Sequence, residues 1–126
     1  MTDHVYQWLD GFALDDFLRR QVAVVMVRLP EHVRDDFLDD PGFFLSDYEP
    51  VAGATTVVPV GPPSRNAAGR SVVFKRTLSR RPDEFVRYVI AHELAHAHLR
   101  NAGRWPGEDP ERAADALAAE WGYPRP

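Results

Sequence analysis

The sequence predicts an α+β fold: N-terminal helices, a small mainly antiparallel sheet within about residues 43–77, a long helix over 83–100 and a last helix over 110–121. Three observations predict it. Apolar residues recur at helical spacing through a proline-free run from Phe85 to Leu99. Upstream of that run, β-branched and aromatic residues cluster in short windows bounded by glycine and proline. Downstream, Asp109-Pro110 pairs an N-cap residue with a proline suited to the first helical position, and an alanine-rich stretch follows.

The elements follow in chain order. Residues 1–50 read as mainly helical support. Leu14, Phe17, Leu18, Val22, Val25, Met26 and Leu29 keep helical spacing from about Ala13 to Arg28. Val22 to Val27 is also β-prone, so a strand is the alternative there. Leu29-Pro30 breaks the pattern, and Glu31 to Leu38 can form a short second helix. Phe43 to Leu45 reads as a short strand, Val51 to Val60 as another, and residues 61–69 as a hairpin-like loop. Arg70 to Leu78 is a further strand, and Lys75, Arg76, Arg80 and Arg81 make a basic patch beside it. That patch suits an acidic partner or simply a solvated edge. The acid pairs at 15–16, 35–36 and 39–40 are expected to coat helix faces and ends.

Length and composition bound the rest. A chain of 126 residues is expected to be one domain, residues 1–126, with a single core. Hydrophobic content of 44% with 27% charged residues fits a water-soluble globule rather than a membrane span. The net charge of −4, without a long basic run, gives nucleic-acid binding no support. No cysteine is present, which removes thiolate ligands and disulfides and suits a reducing compartment. The first residues lack the basic start and apolar run of a secretion signal. Cytoplasmic location is therefore the expectation.

The chemistry concentrates at residues 92–96, His-Glu-Leu-Ala-His. Residues four apart on a helix lie about 40° apart around the axis and roughly 6 Å along it. His92 and His96 can thus chelate one Zn²⁺, while Glu93 points about 100° away, toward a water rather than the metal. A bare match to this spacing arises by chance on the order of once in a hundred chains. Here it sits inside a helical apolar run, where a core helix has no need of two histidines one turn apart with a carboxylate between them. Phe85, Val89, His92, His96 and Leu99 form one stripe, and Val86, Ile90, Leu94 and Ala97 its neighbour. His98 falls about 200° round from His96 and should not share the metal.

A zinc site open to water needs one more protein ligand. Glu111 is assigned that place, on the helix that follows the 100–107 loop. Asp115, one turn on, would accept a hydrogen bond from the free N–H of a ligand histidine. Ala118 and Ala119 continue the face and permit close helix approach. Ligation by Glu108 or Asp109, or an exchange of roles between Glu111 and Asp115, are alternatives, and acids at a helix start also serve the macrodipole.

With these residues the chain resembles the zincin metallopeptidases of the gluzincin kind. His92, Glu93 and His96 match the first motif, and Glu111 with Asp115 matches the Glu-x-x-x-Asp of the second. It is most similar to the small cytoplasmic ImmA/IrrE-type domains and, more distantly, to the helix pair of Ste24/HtpX-type peptidases, over about residues 70–122. One departure is the short gap of residues 97–110, fourteen in all, between His96 and Glu111. Leu99 and Ala102 stand where a metzincin would carry Gly and His, which excludes that branch. The resemblance implies a zinc-dependent hydrolase, an endopeptidase with Glu93 as general base and a protein or peptide as substrate. It also implies that residues 71–77 could be the edge strand that pairs with substrate, and that Tyr123 or Arg104 could stabilise an oxyanion. The alternative is a zincin-fold regulatory or binding protein that holds a metal without proteolysis.

Overall fold

The computed structural model describes residues 2–48, 70–101 and 110–126. Within them the chain is α+β, with five α-helices and a two-stranded sheet. The helices are α1 (Thr2–Leu9), α2 (Asp16–Arg28), α3 (Glu31–Leu38), α4 (Asp83–Asn101) and α5 (Pro110–Glu120). The strands are β1 (Phe43–Tyr48) and β2 (Arg70–Lys75), and a 3-10 turn, Arg76–Arg80, links β2 to α4.

Helix α2 starts where Asp15 caps it, its side chain accepting from the N–H groups of Phe17 and Leu18. The β-prone stretch inside it is helical because most of it packs inward, with Val24 exposed and Val27 half-buried. Gln21, Val22, Ala23, Val25 and Met26 are all buried, so packing overrides local preference. Its C-terminal carbonyls are taken by the buried Arg34 of α3, which donates to Met26 O at 3.0 Å, Val27 O at 3.1 Å and Leu29 O at 2.7 Å. The carboxylate of Asp47 on β1 accepts from the backbone N–H of Asp15 and from Arg76 Nε at 3.0 Å, tying the start of α2 to the sheet.

The two strands run parallel, in the register Phe43↔Arg70 to Tyr48↔Lys75. This corrects the expected antiparallel pairing for the described strands. A parallel pair needs a connection of a dozen or more residues, and the 49–69 segment between the two supplies that length. The expected strand over 51–60 and the loop over 61–69 lie outside the described residues. The strand expected to reach residue 77 or 78 ends at Lys75 and turns into the 3-10 segment.

The core is continuous through Leu18, Val22, Phe37, Leu45, Phe74, Ile90, Leu94 and Ala118. Helix α4 is its central member. Val86, Ile90, Leu94 and Ala97 are buried, together with Ala91 and Ala95. The other α4 stripe is treated differently: Phe85, Val89, His96 and Leu99 are only half-buried, and His92 is 8% exposed. One face of the helix serves the core, and the other is free to line a site.

Arg70, at the head of β2, is buried and collects several acceptors. It bonds Asp40 at 2.6 Å, Asp36 at 3.0 Å and the carbonyl of Ala97 on α4 at 3.2 Å. Asp36 in turn meets His98 Nδ1 at 2.7 Å. Asp36 and Asp40 therefore do not simply coat solvated surfaces as expected; they satisfy a buried guanidinium. No helix among the described residues is long and apolar enough to cross a membrane.

Candidate metal centre

Helices α4 and α5 pack side by side, and small residues let them. Ala114 and Ala118 of α5 are fully buried, whereas Ala119, expected on the same face, is exposed. Helix α5 stops at Gly122, whose φ of +99° lies in the left-handed region. Gly122 N bonds Ala119 O at 3.0 Å and Tyr123 N bonds Ala118 O at 2.9 Å, the two bonds of a Schellman closure. The chain then turns back so that Trp121 and Tyr123 join the core.

This packing brings three side chains together. His92 Nε2 lies 3.2 Å from His96 Nε2 and 3.0 Å from Glu111 Oε1, and His96 Nε2 lies 3.0 Å from Glu111 Oε2. One ligand atom from each of the three falls within 4.8 Å of the others, so the group could hold a metal ion. Tetrahedral zinc with bonds of about 2.0 Å sets its ligands about 3.3 Å apart, close to these separations.

The protonation pattern reinforces the fit. His92 Nδ1 lies 2.8 Å from Asp115 Oδ1, a carboxylate that can only accept, so Nδ1 carries the hydrogen. In a neutral imidazole Nε2 is then a bare lone pair. It faces a carboxylate oxygen and a second ring nitrogen, an arrangement that only a cation, proton or metal, can satisfy. When a proton fills that gap, hydrogen bonding to His92 and then to His96 holds the Glu111 carboxyl below its ordinary 4.5.

Asp115 is itself braced. Its Oδ1 also accepts from the Tyr88 hydroxyl, and its Oδ2 lies 3.3 Å from Arg125. Burial opposes ionisation of Asp115, but hydrogen bonds from Tyr88 and His92 outweigh it and hold the carboxyl below 3.8. Burial, and then Asp115, push the Tyr88 hydroxyl above its ordinary 10.0. It therefore stays a donor at neutral pH. Neither Tyr88 nor Arg125 was expected here from the sequence. Tyr88 stands four before His92, so helical spacing alone puts it on the same side. Arg125 carries no comparable signal.

The geometry thus sets Glu111 with the two Nε2 atoms and Asp115 behind His92, rather than in exchanged positions. The trio is unequal in exposure: the His92 and His96 side chains are 10% and 13% exposed, and that of Glu111 is 70% exposed. Among the described residues His96 Nδ1 has no hydrogen-bond partner, so only one histidine is oriented from behind. His98 sits apart, on Asp36. Tyr123 belongs to the buried core beneath Arg28, 5.3 Å from its guanidinium, as a packing residue would. Glu108, Asp109 and Arg104 lie outside the described residues.

Glu93 does not join the trio. It lines a cavity of about 520 Å³ between α4, β2 and the 3-10 turn, together with Val89, Phe85 and Leu78. Phe85 and Val89 share the helix face of His92 and His96, although none of the three donors is among the residues that line the cavity. No family model, curated protein or solved structure matches this chain.

Proposed function

We propose that this chain is a zinc-dependent peptidase of the zincin kind. His92, His96 and Glu111 hold the ion and Glu93 is the general base. The observation that carries the reading is the convergence of three lone-pair donors beside a carboxylate that opens on a cavity.

Bound Zn²⁺ supplies Lewis-acid polarisation and lets water ionise near neutral pH. The chain's own residues do the rest. Glu93, at the wall of the cavity, takes a proton from the attacking water and returns it to the departing amine. Asp115 fixes the His92 tautomer so that Nε2 faces the ion, and Tyr88 and Arg125 keep Asp115 in place. The half-buried α4 face beside β2 gives a peptide a surface to lie on. A metal kept for binding or stability alone has no use for a carboxylate at a cavity, which favours hydrolysis over a purely regulatory role. The cytoplasm is proposed as the compartment, in keeping with a cysteine-free composition.

The test is Glu93→Gln in the zinc-loaded protein. Metal content should stay at one ion per chain while peptide cleavage disappears. Cleavage that survives this substitution removes Glu93 from the mechanism. Wild-type protein that binds zinc and cuts no peptide leaves the binding reading.

A further inference from the structure

We propose that the cavity beside Glu93 seats a peptide segment carrying a bulky apolar residue next to the cut bond and acidic residues just beyond it. This assigns a substrate class and rests on the peptidase reading for the cut, though not for the binding.

The cavity has two chemistries. Its apolar lining includes Leu78, Phe85 and Val89, the last of these one helix turn before Glu93, and Lys75, Arg80 and Arg81 line it too. All three cations are exposed. Among the described residues none of them has a carboxylate partner, whereas neighbouring Arg76 is paired with Asp47 at 3.0 Å. Three cations without a carboxylate partner among the described residues thus line one opening, against the single carboxylate of Glu93, in a chain whose net charge is −4. The Arg81 guanidinium lies over the Phe85 ring, 4.2 Å from its centroid. A guanidinium stacked in this way can still turn an N–H edge to a carboxylate.

The volume, about 520 Å³, lies within the range of about 300–1,000 Å³ usual for ligand pockets. It exceeds the need of one small side chain. Polarity sets the order of the occupant. The carboxylate of Glu93 disfavours an acid beside it and leaves that end to an apolar side chain, while the rim draws acids one or two residues further along, at about 3.3 Å per extended residue.

The experiment titrates zinc-loaded Glu93→Gln protein into fluorescein-labelled, end-blocked Ala-Ala-Phe-Glu-Glu-Ala and follows anisotropy. Counterparts carry Lys for both Glu, or Ala for Phe. The acidic peptide should bind on the order of tenfold tighter than the lysine one, and loss of Phe should weaken it several-fold. Raising salt should narrow the acidic preference. Lys75→Glu with Arg80→Glu should invert that preference, and Arg80→Glu alone should halve it or more; far-ultraviolet circular dichroism checks that each variant is folded. Equal binding of acidic and basic peptides overturns the proposal. So does absence of binding, a preference that survives charge reversal, or displacement by an oligouridylate as effective as by unlabelled peptide. If wild-type protein leaves the acidic peptide uncut yet the preference and its inversion hold, the peptidase reading falls and the seat stands. Cutting that ignores the acids sinks the seat and spares the peptidase.

Discussion

Asp115 holds His92 from behind, its Oδ1 lying 2.8 Å from Nδ1 while Nε2 faces the other donors. Partners of this kind typically account for 10- to 100-fold in metal affinity. Asp115→Asn should therefore weaken zinc binding by about that factor, measured by competition with a chromophoric chelator, with the helices intact. An unchanged affinity would leave Asp115 as helix-pair packing alone.

The three donors make distinct claims on stoichiometry. His96→Ala and Glu111→Ala should each abolish retention of one zinc per chain through gel filtration, read by elemental analysis. Zinc kept by Glu111→Ala and lost by His96→Ala would overturn the Glu111 assignment and bring Asp109, Glu108 or Asp115 forward as ligand.

Arg70 carries a separate, structural prediction. Its removal leaves Asp36 and Asp40 as poorly compensated carboxylates beside the core. Arg70→Ala should cost about 3–5 kcal/mol, the usual loss when one partner of a buried ion pair is removed. Urea denaturation of the metal-free protein measures it.

Acid should act through the same cluster. Burial alone would raise the Asp36 carboxyl, but hydrogen bonds and charge from Arg70 and His98 outweigh it and hold it below 3.8. A carboxyl lowered by folding stabilises fully above its ordinary value, and that contribution is lost as pH falls through the folded value. Wild-type stability should drop on acidification below about pH 4, and Asp36→Asn should flatten that part of the profile. Urea midpoints at a series of pH values from 5 to 2.5 decide it; parallel profiles would remove Asp36 as a source.

Gly122 tests the turn that closes α5. Its φ of +99° costs an L-residue, while a new Cβ would meet only the flexible end of Arg28 at 3.2 Å. Gly122→Ala should destabilise by about 1 kcal/mol, visible as a lower Tm.

Much of this fold was legible because it rests on short-range spacing. The His92–His96 pair, the Glu111–Asp115 pair and the stop and start around Pro30 are all read within one or two turns of helix. Helix α3 spans Glu31–Leu38 as its pattern predicts. What stayed hidden depends on partners far along the chain. The direction of β2 against β1 leaves no mark in either strand, since alternating side chains look alike in either sense. Arg70 reads only as the first residue of a strand until Asp36 and Asp40, thirty or more residues earlier, are seen around it. The strand-like residues Thr77 and Leu78 turn instead, and so build one wall of the cavity. The cavity itself has no sequence signature, because its walls come from three elements.

The uneven depth of the donors has a kinetic consequence. Two imidazoles are largely buried, and the carboxylate that meets them is mostly exposed. On the proposed reading an arriving ion would meet the exposed acid before the two rings, and charging the protein would need no breach of the core. Departure runs the same way in reverse. A chelator should strip the folded chain far faster than the chain unfolds, because the outermost donor is already exposed.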